Sequence, residues 1–228
     1  MRYYCANLDI HDRMCLVVGG GAVGARKVRK LLQCGARVIL VSPEVSPDLE
    51  TLIQEKKLEY RDRHFHDTDL EDAFLIIAAT DDADVNRTVS EAAKARNVLC
   101  NVVDSPELSS FVAPAVVRKG DLVVAISTEG KSPALSGKLR KRFEKELSPA
   151  YGPLVDLLGA LRSRLKKQGR FSEEARKKIG DLIDSPILNW ITDGNHERIE
   201  KAVCSVLDEP VTLDDLGVVI GQRNTSDE

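Results

Sequence analysis

The chain carries Gly19-Gly20-Gly21-Ala22-Val23-Gly24 between two runs of different character. An apolar run precedes this stretch and an amphipathic run follows it: Met14 to Val18 and Ala25 to Cys34. The order predicts a strand, a glycine turn and a helix. In such a turn Gly19 permits the tight bend, Gly21 lets the backbone approach a phosphate, and Gly24 lets the helix pack close to the strand. Because free N–H groups at a helix start favour an anion, the stretch predicts a site for a dinucleotide pyrophosphate.

The composition sets the class of protein. The chain has 228 residues, of which 43% are hydrophobic, enough to bury one large core or two modest ones. A formal net charge of -3 excludes a general attraction to nucleic acid. No window approaches the roughly 18 consecutive apolar residues of a membrane span, and the N-terminus lacks the apolar core of a signal peptide. We therefore expect a cytoplasmic protein that binds neither nucleic acid nor a membrane.

The cysteines and histidines do not suggest a disulfide framework or a metal site. The five cysteines are scattered and never form a Cys-x-x-Cys pair. His64 and His66 have the spacing of two ligands on one face of a strand, but no cysteine or third histidine lies near them in the sequence. We expect a surface strand end there and no resident metal.

Short apolar runs alternate with amphipathic stretches as far as Val103. This alternation predicts parallel strands joined by helices, an α/β fold with a Rossmann-like doubly wound sheet. The later strands are expected at Arg37 to Val41, Leu58 to Arg61, Phe74 to Ala79 and Val98 to Val103, with Ser42-Pro43 ending the second. The helices are expected at Ala25 to Cys34, from the cap Ser46-Pro47 to Lys56, and at Ala83 to Arg96.

The pattern then changes. Two strand-like runs, Phe111 to Val117 and Leu122 to Ser127, are joined by Arg118 to Asp121, which is too short for a parallel crossover and predicts an antiparallel hairpin. A basic helix capped by Ser132-Pro133 follows, ending near Leu147. The remainder reads as helices, with breaks at Ser148-Pro149, Gly152-Pro153, Gly169, Asp184 to Pro186 and Asp193-Gly194. A small α+β module and a helical C-terminal domain are therefore expected after the sheet.

Ligands of a doubly wound sheet bind beyond the carboxyl ends of its strands. Polar or glycine residues follow the predicted strands at four places: Gly19 to Gly24, Ser42 to Glu44, Thr80 to Asp82 and Asn101 to Asp104. Glu44 lies about twenty residues past the glycine turn, where an acid commonly binds the ribose hydroxyls and repels a 2′-phosphate. This favours NAD over NADP. The alternative is that Glu44 is only an acid in a surface loop.

The carboxylate of Asp104 is placed to accept a proton. It follows a strand end and precedes Ser105-Pro106, so it should project toward a nicotinamide held by the glycine turn. An Asp-Ser-Pro sequence is also a common turn or cap, which is the alternative. Thr80 and Asp81 could equally cap the helix that begins near Ala83.

Basic residues dominate the stretch after the hairpin turn. They outnumber the acids between Arg118 and Lys145, and a second basic run follows from Arg162 to Arg170. Such runs are commonly solvated helix faces, but in an otherwise acidic chain they could also gather an acidic substrate.

Five segments together resemble the precorrin-2 dehydrogenase family, the NAD-dependent enzymes of sirohaem synthesis, some of which are also sirohydrochlorin ferrochelatases. The segments occur in the family order: Val17 to Lys27, Ala78 to Asp82, Cys100 to Asp104, Ser109 to Ala115 and Ser127 to Ala134. The resemblance implies NAD contacts at Ala22, Val23, Pro43 and Glu44 and a catalytic aspartate at Asp104. It also implies an intertwined homodimer.

With the resemblance, the expected domains are an NAD-binding Rossmann domain (1–113), a dimerisation module (114–150), a helical C-terminal domain (151–222) and a disordered tail (223–228). Cofactor binding is assigned to Gly19, Gly21, Ala22, Val23, Gly24, Ser42, Pro43, Glu44, Thr80, Asp81 and Val102. Substrate binding is assigned to Asn101, Ser127, Thr128, Lys131 and Ser132.

The implied reaction is the dehydrogenation of precorrin-2 to sirohydrochlorin, with Fe²⁺ insertion left open as a further activity. Trifunctional relatives carry a methyltransferase domain after this region, so with the sequence ending at Glu228 we expect another protein to supply precorrin-2. Some relatives have a phosphorylatable Ser-Ser pair where this chain has Ser127-Thr128. The rival interpretations are a non-catalytic NAD-sensing regulatory module and a different small-molecule NAD dehydrogenase.

Overall fold

A computed structural model describes residues 3–221, which divide into two compact units. The first unit contains the chain up to Ala113 together with Glu129–Lys131. The second contains Pro114–Thr128 and the chain from Ser132 onward.

The first unit is built on a five-stranded, fully parallel sheet in the order β3-β2-β1-β4-β5. The strands are β1 (Met14–Gly20), β2 (Arg37–Val45), β3 (Glu59–Arg61), β4 (Leu75–Ala78) and β5 (Leu99–Val102). The helices are α1 (Ala22–Gln33), α2 (Pro47–Gln54) and α3 (Ala83–Ala95). The prediction of a doubly wound sheet is confirmed.

Both faces of the sheet are covered, which explains its nearly continuous apolar strands. Alternate residues of β1 enter different cores: Cys15 and Val17 pack with α1 and α2, whereas Leu16 and Val18 pack with α3. Every residue of β1 from Cys15 onward is buried. The four longer strands therefore present their carboxyl ends along one edge of a rigid sheet.

Strand β2 does not end at Ser42-Pro43, as the sequence had suggested, but continues to Val45. The register shifts between Val18 and Gly20, so that Gly20 pairs with Val45. The N–H of Ser46 also donates to the carbonyl of Gly20 at 2.8 Å. Pro43 is tolerated because it lies at this irregularity, where a ladder hydrogen bond is already missing.

Asp69 is a buried carboxylate that holds the segment after β3 in place through ion pairs with Arg61 and Arg63. Its side chain is 0% exposed and lies 2.6 Å from guanidinium nitrogens of both Arg61 and Arg63. Burial alone would raise the pKa of Asp69, but hydrogen bonds from Arg63, from the His66 backbone and from Arg61 outweigh it and lower the pKa from 3.8 to about 2. The ionised form is thus strongly favoured in the folded chain.

We expect Asp69→Asn to lower the free energy of unfolding by about 2 to 3 kcal/mol at pH 7. Because the folded pKa is depressed, this stabilisation is complete above about pH 4 and is lost as the pH falls through about 2. Urea unfolding at pH 7 and at acid pH measures both effects. Asp67→Asn is the matched control, since that carboxylate is 59% exposed and its removal should cost less than about 1 kcal/mol. Equal losses in the two variants would contradict the assignment.

The second unit begins with the predicted hairpin, formed by the antiparallel strands β6 (Ala115–Lys119) and β7 (Leu122–Ile126). The hairpin is shorter at its start than expected, since the strand begins at Ala115 and not at Phe111. Its turn is also shorter, because Lys119 pairs with Leu122 and leaves only Gly120-Asp121 as the connection. Gly120 supplies the positive φ of +57° that such a two-residue turn requires.

Five helices complete the second unit: α4 (Pro133–Glu146), α5 (Tyr151–Lys167), α6 (Glu173–Asp184), α7 (Ile187–Thr192) and α8 (His196–Leu207). The expected break at Gly152-Pro153 was wrong, because both residues lie in the first turn of α5. A proline is tolerated there, since the first N–H groups of a helix have no partner within it.

The core of the second unit is formed by α5 to α8, with Leu157, Leu161, Ile187, Ile199 and Leu207 each completely buried. In residues 3–221, every helix is too short or too polar to span a membrane. The division between 114–150 and 151–222 stays a prediction, and the predicted tail lies outside the described residues.

Candidate functional site

The glycine turn has three positions that no other residue could occupy without a rearrangement: Gly19, Gly20 and Gly24. A Cβ on Gly20 would overlap the carbonyl oxygen of Glu44. Gly19 has φ +110°, and a Cβ there would lie 2.6 Å from the carbonyl carbon of Ala79. A Cβ on Gly24 would overlap the carbonyl oxygen of Gly19. These contacts support the two packing roles expected from the sequence, the tight bend and the close approach of α1.

Gly21 differs, because a Cβ added to it would meet nothing within 4 Å. It precedes α1 with extended backbone, and no side chain of residues 3–221 caps that helix start. The first turn, which begins with Ala22 and Val23, contains no acidic residue. Unfilled space above exposed backbone N–H groups suits a bound phosphate. The residues present therefore fit the pyrophosphate of a dinucleotide.

Ser42 holds the glycine turn against β2. Its buried hydroxyl accepts a hydrogen bond from the Gly20 N–H at 3.0 Å and donates to the Glu44 carbonyl at 2.6 Å. The Tyr60 hydroxyl in turn donates to the Ser42 carbonyl at 2.9 Å. Ser42 thus supports the site from inside the protein, and its predicted contact with the cofactor stays a prediction.

Glu44 lies near the carboxyl end of β2 and not in a loop. Its side chain and that of Pro43 are exposed. Within residues 3–221 the Glu44 carboxylate has no hydrogen-bond or ion-pair partner. It is therefore free to accept hydrogen bonds from a ligand at this edge of the sheet.

The turn after β4 is fixed by Asn86, a residue that no sequence motif identified. Its side-chain amide accepts from the Thr80 hydroxyl at 2.9 Å and donates to the Thr80 carbonyl at 2.9 Å. The cap of α3 is Asp82, whose carboxylate accepts from the N–H groups of Asp84 and Val85. The suggestion that Thr80 or Asp81 caps this helix was therefore wrong, and Asp81 remains exposed at the sheet edge.

Asp104 follows β5 with its side chain exposed, as expected for a residue projecting from a strand end. Its φ of +59° lies in the left-handed region, which aspartate tolerates better than most residues. The Ser105 N–H donates to the Val102 carbonyl, and the Ser109 hydroxyl donates to the Ser105 carbonyl at 2.9 Å. The backbone on the C-terminal side of Asp104 is therefore held in place.

The predicted site residues Asn101 and Val102 are both buried. The Asn101 amide donates to the Phe111 carbonyl and accepts from the Lys27 ammonium, each at 3.2 Å. Both its hydrogen-bonding groups are therefore engaged within the protein, which gives Asn101 a supporting role. Its predicted substrate contact, like the cofactor contact of Val102, stays a prediction.

Two serines that received no role from the sequence cover the free edge of β5. The Ser109 hydroxyl accepts from the Val102 N–H at 2.9 Å, and the Ser110 hydroxyl accepts from the Cys100 N–H at 2.8 Å. They replace the neighbouring strand that β5 lacks on this side. The Ser-Ser-Phe segment of the resemblance was the available signal.

Lys27 is a further site residue, and the sequence motif that contains it gave it no role. Burial lowers the pKa of its ammonium, and the nearby Lys30 and Arg26 lower it further, while Asp104 acts in the opposite direction. The positive charge of Lys27 and the carboxylate of Asp104 at the end of β5 therefore interact electrostatically. Its place in the Arg26-Lys27 pair, one turn beyond the glycines, was the signal for it.

The remaining predicted substrate residues are divided between the units. Lys131 belongs to the first unit, whereas Ser127, Thr128 and Ser132 belong to the second. The Thr128 hydroxyl accepts from the Ser132 N–H at 3.1 Å, and the Ser132 hydroxyl caps α4 by accepting from the Leu135 N–H at 3.3 Å. Their substrate contacts stay predictions.

Two family models match the chain. The model described as NAD(P)-binding matches residues 6–115. The model described as sirohaem biosynthesis protein, central, matches residues 119–146. Together they cover the parallel sheet, strand β7 of the hairpin and helix α4.

Curated relatives include siroheme synthases from Nitrosospira multiformis and Salmonella typhi. The first is 47% identical over 214 residues, covering 90% of this chain and 45% of the relative. The second is 41% identical over 213 residues, covering 93% of this chain and 46% of the relative. The chain therefore spans just under half the length of the curated relatives it matches.

A solved structure described as SirC, precorrin-2 dehydrogenase, has a TM-score of 0.73 and 25% sequence identity with this chain. The match covers 90% of this chain and 100% of the solved one. The likeness thus extends from the parallel sheet into the helical second unit.

Proposed function

The chain belongs to the sirohaem-biosynthesis family, and from this premise we propose that it catalyses the NAD-dependent dehydrogenation of precorrin-2 to sirohydrochlorin. One observation carries the proposal. The exposed carboxylate of Asp104 and the open glycine turn at Gly21 lie at the carboxyl edge of the same parallel sheet. A proton acceptor and a dinucleotide cradle on one edge are what this reaction requires.

Different residues at the carboxyl edge of the sheet would bind different parts of NAD. The backbone from Gly21 to Val23 would hold the pyrophosphate, because its N–H groups open onto free space. The Glu44 carboxylate would accept hydrogen bonds from the ribose hydroxyls. Bound NAD supplies the acceptor for the hydride that leaves the substrate.

The chemistry assigned to the protein is proton removal and alignment. Precorrin-2 loses a hydride and a proton as its macrocycle gains conjugation, giving sirohydrochlorin and NADH. Asp104 accepts the proton from the macrocycle and passes it to water. The rigid end of β5 fixes the direction from which the carboxylate approaches the substrate.

Precorrin-2 carries several carboxylates, so its binding requires positively charged side chains. The basic helix α4 provides such side chains. Two of its arginines are engaged by acids of the same helix, Arg140 with Glu144 and Arg142 with Glu146. Three lysines are exposed and lack an ion-pair partner within the described part of the chain: Lys138, Lys141 and Lys145. We assign these lysines to the attraction of substrate carboxylates.

We expect Glu44→Ala to reduce the preference for NAD over NADP by about tenfold or more, because the acid no longer repels a 2′-phosphate. Isothermal titration with each dinucleotide measures the ratio of the two dissociation constants. Glu50→Ala is the control, since Glu50 is an exposed acid on the adjacent helix α2. An unchanged ratio in Glu44→Ala would remove Glu44 from the cofactor site.

Anaerobic incubation of the purified chain with NAD and enzymatically made precorrin-2 tests the proposed function. The expected result is the sirohydrochlorin spectrum, appearing only when NAD is present. NAD binding without turnover would favour the regulatory module. NADH formation only with other substrates would favour a different dehydrogenase.

A homodimer is supported by the apolar surface of the second unit. A two-stranded sheet is marginally stable alone, yet β7 is only half-buried from Leu122 to Val124. Helix α4 has no fully buried residue, and Leu135 is 49% exposed. A second copy of the chain would cover these side chains. Sedimentation velocity is expected to give the mass of a dimer, and a monomer at micromolar concentration would contradict this.

Iron insertion and the cytoplasmic location stay predictions. Insertion requires the loss of two pyrrole protons, which Asp104 could accept, with Fe²⁺ as a substrate. Conversion of sirohydrochlorin and Fe²⁺ to sirohaem without NAD is the deciding assay. All five cysteines are free, which agrees with a reducing compartment.

A further inference from the structure

The second basic run of the sequence, Arg162 to Arg170, contains cations of two kinds. Arg164 donates to the Glu209 carboxylate at 2.7 Å, so its charge is compensated within the second unit. Arg162 and Lys166 lie on the same helix, α5, and are exposed. Within residues 3–221 no carboxylate lies within ion-pair distance of either. The structure thus leaves these two charges available to a ligand.

Arg162 and Lys166 converge with a third cation, Arg176 of α6, on the ring of Phe171. The Cζ atoms of Arg162 and Arg176 lie 5.6 and 5.2 Å from the ring centroid, and the Lys166 ammonium lies 5.9 Å from it. Phe171 is half-buried and packs against the core of the second unit, which fixes the position of the ring. We call the three cations and the ring the Phe171 cluster. Two helices therefore present three positive charges at one place.

The charge of the Phe171 cluster is poorly compensated. Arg176 has an ion-pair partner, Glu173 at 3.4 Å, but the Glu173 side chain is 94% exposed, so the pair is weak. Lys166 lies in the last turn of α5, where the partial negative charge of the helix end attracts it without neutralising it. The aromatic ring attracts cations but carries no net charge. An anion with several charged groups would supply the missing compensation.

We propose that the Phe171 cluster is a binding site for a polycarboxylate tetrapyrrole, additional to the lysines of α4. This inference rests on the proposed function, because precorrin-2 and sirohydrochlorin supply the class of ligand. Their carboxylates are spread around a wide macrocycle, so one molecule can contact cations from two helices at once. The formal net charge of -3 excludes a general attraction to nucleic acid and favours a small polyanion.

Uroporphyrin, a stable polycarboxylate porphyrin, is the probe that tests this site on the full chain. The chain is labelled with fluorophenylalanine at its five phenylalanines, and the signal missing from Phe171→Leu identifies Phe171 in the fluorine NMR spectrum. Because a porphyrin ring current shifts resonances close to it, we expect uroporphyrin to move the Phe171 signal. A fixed Phe171 signal at saturating uroporphyrin would overturn the proposal.

Two charge variants test which cations hold the probe. Arg162→Gln/Lys166→Gln should weaken the uroporphyrin affinity reported by the Phe171 signal about tenfold or more, because it removes two charged donors. Arg198→Gln/Lys201→Gln, at two exposed cations of α8, is the matched control and should change it less than about twofold. Equal weakening in the two double variants would show a response to net charge alone and would overturn the site.

Tripolyphosphate is the comparison ligand, because a guanidinium binds phosphate and carboxylate alike. We expect uroporphyrin to move the Phe171 signal at the lower concentration. A response to tripolyphosphate at an equal or lower concentration would assign a phosphate ligand and overturn the polycarboxylate assignment.

This binding needs neither NAD nor turnover, so the two proposals fail separately. A Phe171 signal that responds to uroporphyrin in a chain unable to dehydrogenate precorrin-2 would support the site and overturn the proposed function. Turnover of precorrin-2 by a chain whose Phe171 signal stays fixed would support the proposed function and overturn the site.

Discussion

Asp104→Asn is expected to lower kcat for precorrin-2 dehydrogenation by about 100-fold or more, because it removes the proton acceptor. The folded structure should persist, since asparagine also tolerates the left-handed backbone that Asp104 adopts at φ +59°. The amide cannot take up the proton at neutral pH. Stopped-flow absorbance of sirohydrochlorin formation measures the loss.

The same variant must still bind NAD, since the glycine turn and Glu44 are untouched. We expect its dissociation constant for NAD, measured by titration calorimetry, to stay within about twofold. Glu50→Gln, at an exposed acid on α2, is the control for removing one negative charge from the first unit. Turnover by Asp104→Asn at the rate of the control would show that another group accepts the proton.

The second large effect distinguishes the roles of Gly24 and Gly21, which are three residues apart. Gly24→Ala should lower the free energy of unfolding of the first unit by about 2 to 4 kcal/mol. The reason is that its Cβ would overlap the Gly19 carbonyl oxygen, and neither backbone can move without disturbing β1. Urea unfolding followed by circular dichroism measures the loss.

Gly21→Ala should have the opposite signature. Its backbone has φ -73°, which alanine adopts readily, and the added methyl group would meet nothing within 4 Å. Stability should therefore change by less than about 1 kcal/mol. NAD affinity should fall at least tenfold, because the methyl group stands where a phosphate would approach. Undiminished NAD affinity in Gly21→Ala would place the pyrophosphate elsewhere.

The elements that the sequence predicts well are those set by local pattern. Continuous apolar runs identified the buried strands, because both faces of a parallel sheet are covered. The glycine turn was identified because Gly19 and Gly24 are required by backbone contacts that recur in such turns. The hairpin was identified because its connection was too short for anything else.

Local pattern was misleading at two places, one decided by a distant residue and the other by position within a helix. The end of β2 depends on its pairing with Gly20, so Ser42-Pro43 did not stop the strand. Gly152-Pro153 did not break the chain, because a proline in the first turn of a helix loses no hydrogen bond.

The supporting residues of the site were harder to predict than the residues at the strand ends. Asn86 and Ser109 form hydrogen bonds with backbone six or seven residues away, and Lys27 bonds to Asn101 across 74 positions of sequence. Residue type alone does not reveal such partners. The candidate ligand residues followed from the strand ends, because ligands of a doubly wound sheet bind beyond the carboxyl ends of its strands, and their contacts with a ligand stay predictions.

The stoichiometry of a single anaerobic reaction decides whether the chain couples oxidation of precorrin-2 to reduction of NAD. Precorrin-2 and excess NAD are mixed with the purified chain, and NADH and sirohydrochlorin are measured together. We expect equal molar amounts of the two products, both formed about 100-fold more slowly by Asp104→Asn. Sirohydrochlorin without matching NADH, or NAD bound with neither product formed, would contradict this coupling.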